Sequence, residues 1–199
     1  MQSCTDNLVY TGTDIEVVLT GNTYQAAFTE SSPVSTFNSG NQILLNASGS
    51  LQIDNRILTY MDNQWKAENE FSWSDLTGKT NVTAVYPVYP DLDYVQENLY
   101  KNNSLEDILY VKDEFPAGNS IHLQFKHLFS LLTLHLEGNL QTYFQKIEVT
   151  CPAVSSIIPK SAEIVLADNG THTTTIAQVS PSGNYSFIVP PVGNMPVSY

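Results

Sequence analysis

The stretch Asp107–Glu137, DILYVKDEFPAGNSIHLQFKHLFSLLTLHLE, decides the fold class. Within it Ile121, Leu123 and Phe125 alternate with His122, Gln124 and Lys126. Successive side chains of a strand point to opposite faces of a sheet, so this alternation predicts a strand with one apolar and one polar face. Leu132, Leu134 and Leu136 alternate in the same way with Thr133, His135 and Glu137. Residues 127–131 break the period between them, which predicts a bulge or tight turn and a kinked hairpin over 121–136. Burying each large apolar side chain contributes roughly 1.5–3 kcal/mol. No phosphate-binding loop or nucleophile elbow interrupts the stretch, which reads as scaffold.

The same alternation recurs outward from this stretch. Toward the N-terminus, Ile15, Val17 and Leu19 predict a strand over 14–20, followed by a short strand at Tyr24–Thr29. Residues 1–12 are polar and read as a flexible tether. Further strands are expected after the turn at 38–41, at 51–60 and 65–73 around a loop at 61–64, at 81–89 and at 108–111. A short helix or long loop is expected over 91–103, with a helical turn at 104–107. Toward the C-terminus, strands are expected at 143–150, 162–166, 173–179 and 185–189. A loop at 152–159 and turns at Asp168-Asn169-Gly170 and 180–183 separate them. Strands recurring at this interval favour an all-β sandwich over βαβ units. A boundary near Gly138-Asn139 divides the chain into a larger module, 1–138, and a smaller β module, 139–199, thin enough that either it shares a core with the first, or the natural chain continues, or something else supplies a strand.

Composition narrows the function classes. The 199 residues carry 8 Lys+Arg against 20 Asp+Glu, a net charge of −12. A basic surface able to release phosphate counterions is therefore not expected, which disfavours nucleic acid and anionic membrane surfaces as partners. No apolar run approaches the roughly 18 residues of a membrane-spanning helix. The alternating strands are too few for a closed outer-membrane barrel. Of the two cysteines, Cys4 and Cys151, each is read as a separate thiol or both as one disulfide. Met1-Gln2-Ser3-Cys4 also resembles the end of a bacterial lipoprotein signal, in which Cys4 becomes the lipidated residue.

No set of catalytic, cofactor-binding or metal-ligating residues emerges. His122 and His135 lie on the polar faces of the two central strands, but zinc needs about four ligands. His127 sits at the break in alternation and is expected to hydrogen-bond there. The acidic pairs at 91/93, 106/107 and 113/114 match no calcium loop. Trp65, Trp73 and nearby tyrosines offer either a sugar-stacking platform or core and cross-strand packing.

In order and spacing, several segments resemble the fimbrillin-like (Mfa-like) family of type V pilus subunits and surface lipoproteins. Phe37-Asn38-Ser39-Gly40-Asn41-Gln42-Ile43 is similar to its entry strand. Tyr60, Trp65 and Phe71-Ser72-Trp73 are similar to its aromatic hairpin, and Val85-Tyr86-Pro87 to its proline-ended strand. Asp107-Ile108-Leu109-Tyr110, with Leu123-Gln124-Phe125-Lys126-His127 and Ser130, is similar to its central motif. The resemblance implies a two-domain transthyretin-like β-sandwich, exported as a lipoprotein to the outer membrane or fimbrium. It implies no enzyme activity and assembly with other pilus subunits by strand exchange, with lipidation at Cys4 as the membrane anchor. Residues 14–29 would be the plug or exchangeable strand. One departure stands out: no Lys or Arg precedes Arg56, so arginine-dependent removal of the first strand has no cut site, which points to an anchor-like or accessory subunit or to a relative processed otherwise. The alternative is a surface lipoprotein that binds a host or bacterial glycan.

Overall fold

Alternating apolar residues give strands throughout the computed structural model. It describes residues 10–19, 23–25, 34–50, 52–68, 71–73, 77–116, 120–138, 146–178, 180 and 182–191. The fold is all-β, as expected. The strands are β1 (Tyr10–Gly12), β2 (Ile15–Leu19), β3 (Gln42–Gly49), β4 (Ile53–Met61), β5 (Gln64–Glu68), β6 (Thr80–Tyr86), β7 (Tyr100–Lys101) and β8 (Ser104–Leu105). They continue with β9 (Leu109–Phe115), β10 (Ile121–His127), β11 (Ser130–His135), β12 (Ile147–Ile158), β13 (Glu163–Ile176) and β14 (Asn184–Val189). One helical turn, α1 (Gln96–Leu99), and a 3-10 turn at Pro90–Leu92 precede β7.

By backbone proximity the chain divides into two units. The first comprises Met1–Thr20, Thr36–Val88 and Tyr110–Lys126; the second comprises Gly21–Ser35, Tyr89–Leu109 and His127–Tyr199. The boundary expected at 138/139 lies inside the second unit. The first unit carries an eight-stranded sheet in the order β1-β5-β4-β3-β6-β9-β10-β2. β3 is buried at Ile43, Leu44, Leu45, Asn46 and Ala47 in succession. Consecutive burial marks a strand covered on both faces. The β4–β5 turn holds Asp62 and Asn63 at φ 53° and 60°, the left-handed conformation that Asn and Asp accept in tight hairpins. Phe37 packs edge-on against Trp65, Tyr86 and Phe125, at ring distances of 5.0, 5.3 and 6.5 Å.

The second unit contains the antiparallel ribbons β11–β14 and β12–β13. Buried Cys151, Ile176, Tyr185, Phe187 and Val189 form a core with Leu132, Leu134 and Leu136 packed on it. Cys151 is a free, buried thiol.

Several local expectations fail for identifiable reasons. Residues 10–12 are strand, not tether, because β5 supplies their hydrogen-bond partners. Runs 121–127 and 130–135 are strands, but not a hairpin: β10 joins the large sheet and β11 pairs with β14. Ser104–Leu105 pairs with Tyr100–Lys101 instead of turning helically. Of the strand expected at 65–73, β5 covers the part to Glu68, and Phe71, Ser72 and Trp73 are not strand. All but the last residue of the expected loop 152–159 belongs to β12, where Pro152 is accommodated at a register shift. Asp168-Asn169-Gly170 does not reverse the chain. Pro152 pairs with Thr171 and Val154 with Leu166, so residues 167–170 bulge out opposite Ala153. A Cβ on Gly170 would come within 2.7 Å of the Ala167 Cβ, which is why glycine suits the bulge. Tyr24 and Gln25 are not strand, and the rest of the Tyr24–Thr29 expectation lies outside the described residues.

Candidate functional site

Both ends of the eight-stranded sheet come from one short segment. β1 pairs antiparallel with β5, placing Tyr10 opposite Glu68 and Gly12 opposite Lys66. β2 pairs parallel with β10, placing Ile15 opposite Ile121 and Leu19 opposite Phe125. The alternation written in the sequence explains the match of faces. Ile15, Val17 and Leu19 fall on the face of buried Ile121, Leu123 and Phe125, while Glu16 and Val18 fall beside exposed His122 and Gln124. Glu16 meets His122 Nδ1 at 2.8 Å on the surface. An unpaired strand edge is a template for another chain, so residues 10–19 cap two such edges at once.

The switch between edges occurs at Thr13 and Asp14. Thr13 is 1% exposed, and both its N–H and its hydroxyl donate to the Trp65 carbonyl, at 3.1 and 2.8 Å. The Thr13 carbonyl accepts the Trp73 N–H at 2.9 Å, and the Asp14 carbonyl accepts the Ile121 N–H at 3.2 Å. Asp14 holds a left-handed φ of 55°, and its carboxylate accepts from the Ser72 hydroxyl. An open cleft of about 390 Å³ lies at this corner, lined by Asp14, Glu16, Tyr60, Asn63, Gln64 and Ser120 among others.

A second cluster belongs to the other unit. Asp107 Oδ2 accepts the Tyr24 N–H at 2.7 Å and lies 2.8 Å from His127 Nδ1. The Tyr24 ring stacks on the imidazole, with centroids 3.6 Å apart and planes 6° apart. With Nδ1–H donating to the carboxylate, the imidazole ring is fixed in orientation. Asp107 is 8% exposed, and its Oδ1 has no hydrogen-bond partner among the described residues. Burial raises its pKa above the ordinary carboxylate range, opposed by the Tyr24 N–H and by His127. Nearby, the Tyr89 hydroxyl donates to Glu106 at 3.0 Å; burial first, and the Glu106 charge second, hold that phenol protonated far above its usual range.

The raised pKa makes a signed prediction. The native state keeps the Asp107 proton to higher pH than the unfolded chain does, so the Asp107 contribution is full below the unfolded carboxylate pKa and is lost as pH rises through the folded one. Asp107→Asn, which is uncharged throughout, is therefore expected to cost most stability at pH 4 and least at pH 7. Urea unfolding of both proteins across that range reads the difference; a gap that widens toward pH 7 contradicts the assignment.

The residues singled out in the sequence scatter. His122 and His135 are in different sheets, and His135 Nδ1 contacts Asn184 Oδ1 at 2.7 Å. His172 Nε2 meets the Asn103 carbonyl oxygen at 3.0 Å. Among the described residues no group of three or more His, Cys, Asp or Glu is placed to hold a metal ion. Trp65 and Trp73 are 3% and 0% exposed, so they pack the core and present no sugar platform. Arg56 lies within β4 and donates to the Glu68 carbonyl at 2.8 Å. Cys4 lies outside the described residues. Sequence reading missed β1, the Thr13–Asp14 corner and Tyr24; a three-residue strand has too short a period to read, although Asp14 is a residue type that tolerates left-handed backbone. No family model, curated protein or solved structure matches the chain.

Proposed function

We propose that this chain is a structural and adhesive cell-surface subunit of a type V-like pilus, assembling by strand donation, with residues 10–19 as the exchangeable element. The observation that carries the reading is that this one segment closes both ends of the sheet. Its withdrawal bares the edges of β5 and β10 together, and a strand from a neighbouring subunit restores the hydrogen bonds by β-augmentation. The resemblance of Phe37–Ile43, Tyr86-Pro87 and Asp107–Ser130 to fimbrillin-like segments supports the same reading, while the sole arginine, Arg56 within β4, offers no cut behind β2 and favours an anchor or accessory subunit. Lipidation at Cys4 would attach the subunit to the outer membrane. The glycan-binding alternative has to rest on the cleft beside Asp14, because the tryptophans are in the core.

Thr20→Arg supplies the missing cut site behind β2. After treatment with an arginine-specific protease, the variant is expected to take up a labelled peptide spanning residues 10–19 and to form oligomers, while the uncut protein does neither. Cut protein that unfolds, or that retains its own segment against excess peptide, rules out strand donation.

A further inference from the structure

We propose that Tyr24, Asp107 and His127 form an autoinhibitory latch that keeps β2 in its own sheet. Its consequence for assembly rests on the strand-donation reading; the latch itself does not.

β2 and β10 run parallel, so both leave the sheet at the same end. β10 ends at His127, two positions beyond the Phe125–Leu19 pair. Beyond Leu19, residues 20–22 join the strand to Thr23, and Tyr24 follows. Such a linker spans at most about 3.3–3.6 Å per residue, so holding Tyr24 restrains the end of β2. A strand with a tethered end returns to its edge at a high effective concentration and competes well against a strand from another molecule.

The anchor is built on both backbone and ring. Asp107 Oδ2 takes the Tyr24 N–H in a part-buried setting. The same carboxylate aligns His127, whose imidazole is the platform for the Tyr24 ring. Thr23 is itself held by Val34: its N–H donates to the Val34 carbonyl at 3.0 Å, and its hydroxyl accepts the Val34 N–H at 2.6 Å. Leu128 N–H donates to the Ile108 carbonyl at 2.7 Å, bracing the two segments that carry His127 and Asp107. Asp107 and His127 both belong to the central stretch; Tyr24 lies 83 residues before Asp107 in the chain.

Amide hydrogen exchange on the intact monomer tests the latch, because local opening is read there without any assembly. In Tyr24→Ala, amides of residues 15–19 are expected to exchange about ten- to a hundredfold faster, with those of β3 and β14 unchanged. Tyr24→Phe, which keeps the ring, is expected to match the parent. Two results overturn the proposal: unchanged protection at 15–19 in Tyr24→Ala, or a uniform loss across all strands, which marks a general loss of stability. The peptide-uptake experiment fails independently. Normal uptake with no exchange effect refutes the latch alone, and the exchange effect without uptake refutes strand donation alone.

Discussion

Trp73→Ala is expected to lower the stability of the protein by about 3–5 kcal/mol, the usual cost of emptying a buried tryptophan site. Trp73 is fully buried, packs edge-on to Phe115 at 6.2 Å, and directs its indole N–H to the Pro116 carbonyl at 3.4 Å. Its backbone N–H also ties down Thr13 at the corner between β1 and β2. Against a total of about 5–15 kcal/mol for an ordinary domain, such a loss is a large fraction. The midpoint of urea unfolding should fall, and amides near Thr13 should exchange faster than those of β3. A loss below about 1 kcal/mol would mean that the indole is not the filler of this site.

The second large effect lies in the other unit. Tyr185 is fully buried among Cys151, Ile176, Phe187 and Val189, and its hydroxyl accepts the Ser180 N–H at 3.0 Å. Tyr185→Ala empties the centre of that core and is expected to cost about 3–5 kcal/mol. Tyr185→Phe keeps the ring but strips the buried Ser180 N–H of this acceptor, for about 1–3 kcal/mol. The difference between the variants separates packing from hydrogen bonding. Protection of β14 amides is the local readout, and equal losses in the two variants would place the whole effect on the hydroxyl.

Phe37, Trp65, Tyr86 and Phe125 come from four separate segments and meet in one aromatic cluster. Asp107 and His127 meet across a single hydrogen bond. The expectation of a bonded histidine at 127 was legible because the alternation breaks there. Its stacking partner, Tyr24, was not, since no local pattern links residues so far apart in the chain. The turn signal at 168–170 was also legible as local geometry, and the backbone does depart from the left-hand rule for ordinary residues at Asn169, with φ 53°. Whether such a departure reverses a strand or bulges out of it depends on the partner strand, here β12.

What the amino-acid sequence determined by itself is that the clearly alternating runs form strands and which face of each is apolar, because side-chain direction follows the local two-residue period. That period explains the matched faces of β2 and β10 and the buried row Ile121, Leu123 and Phe125. Only the tertiary structure decided which strands pair. Alternating runs such as 121–127 and 130–135 look equally ready to join each other, yet one enters the large sheet and the other pairs near the end of the chain. A strand edge offers the same N–H and C=O groups to any neighbour, so the choice falls to whole-core packing, and with it the placement of residues 10–19 at both ends of one sheet.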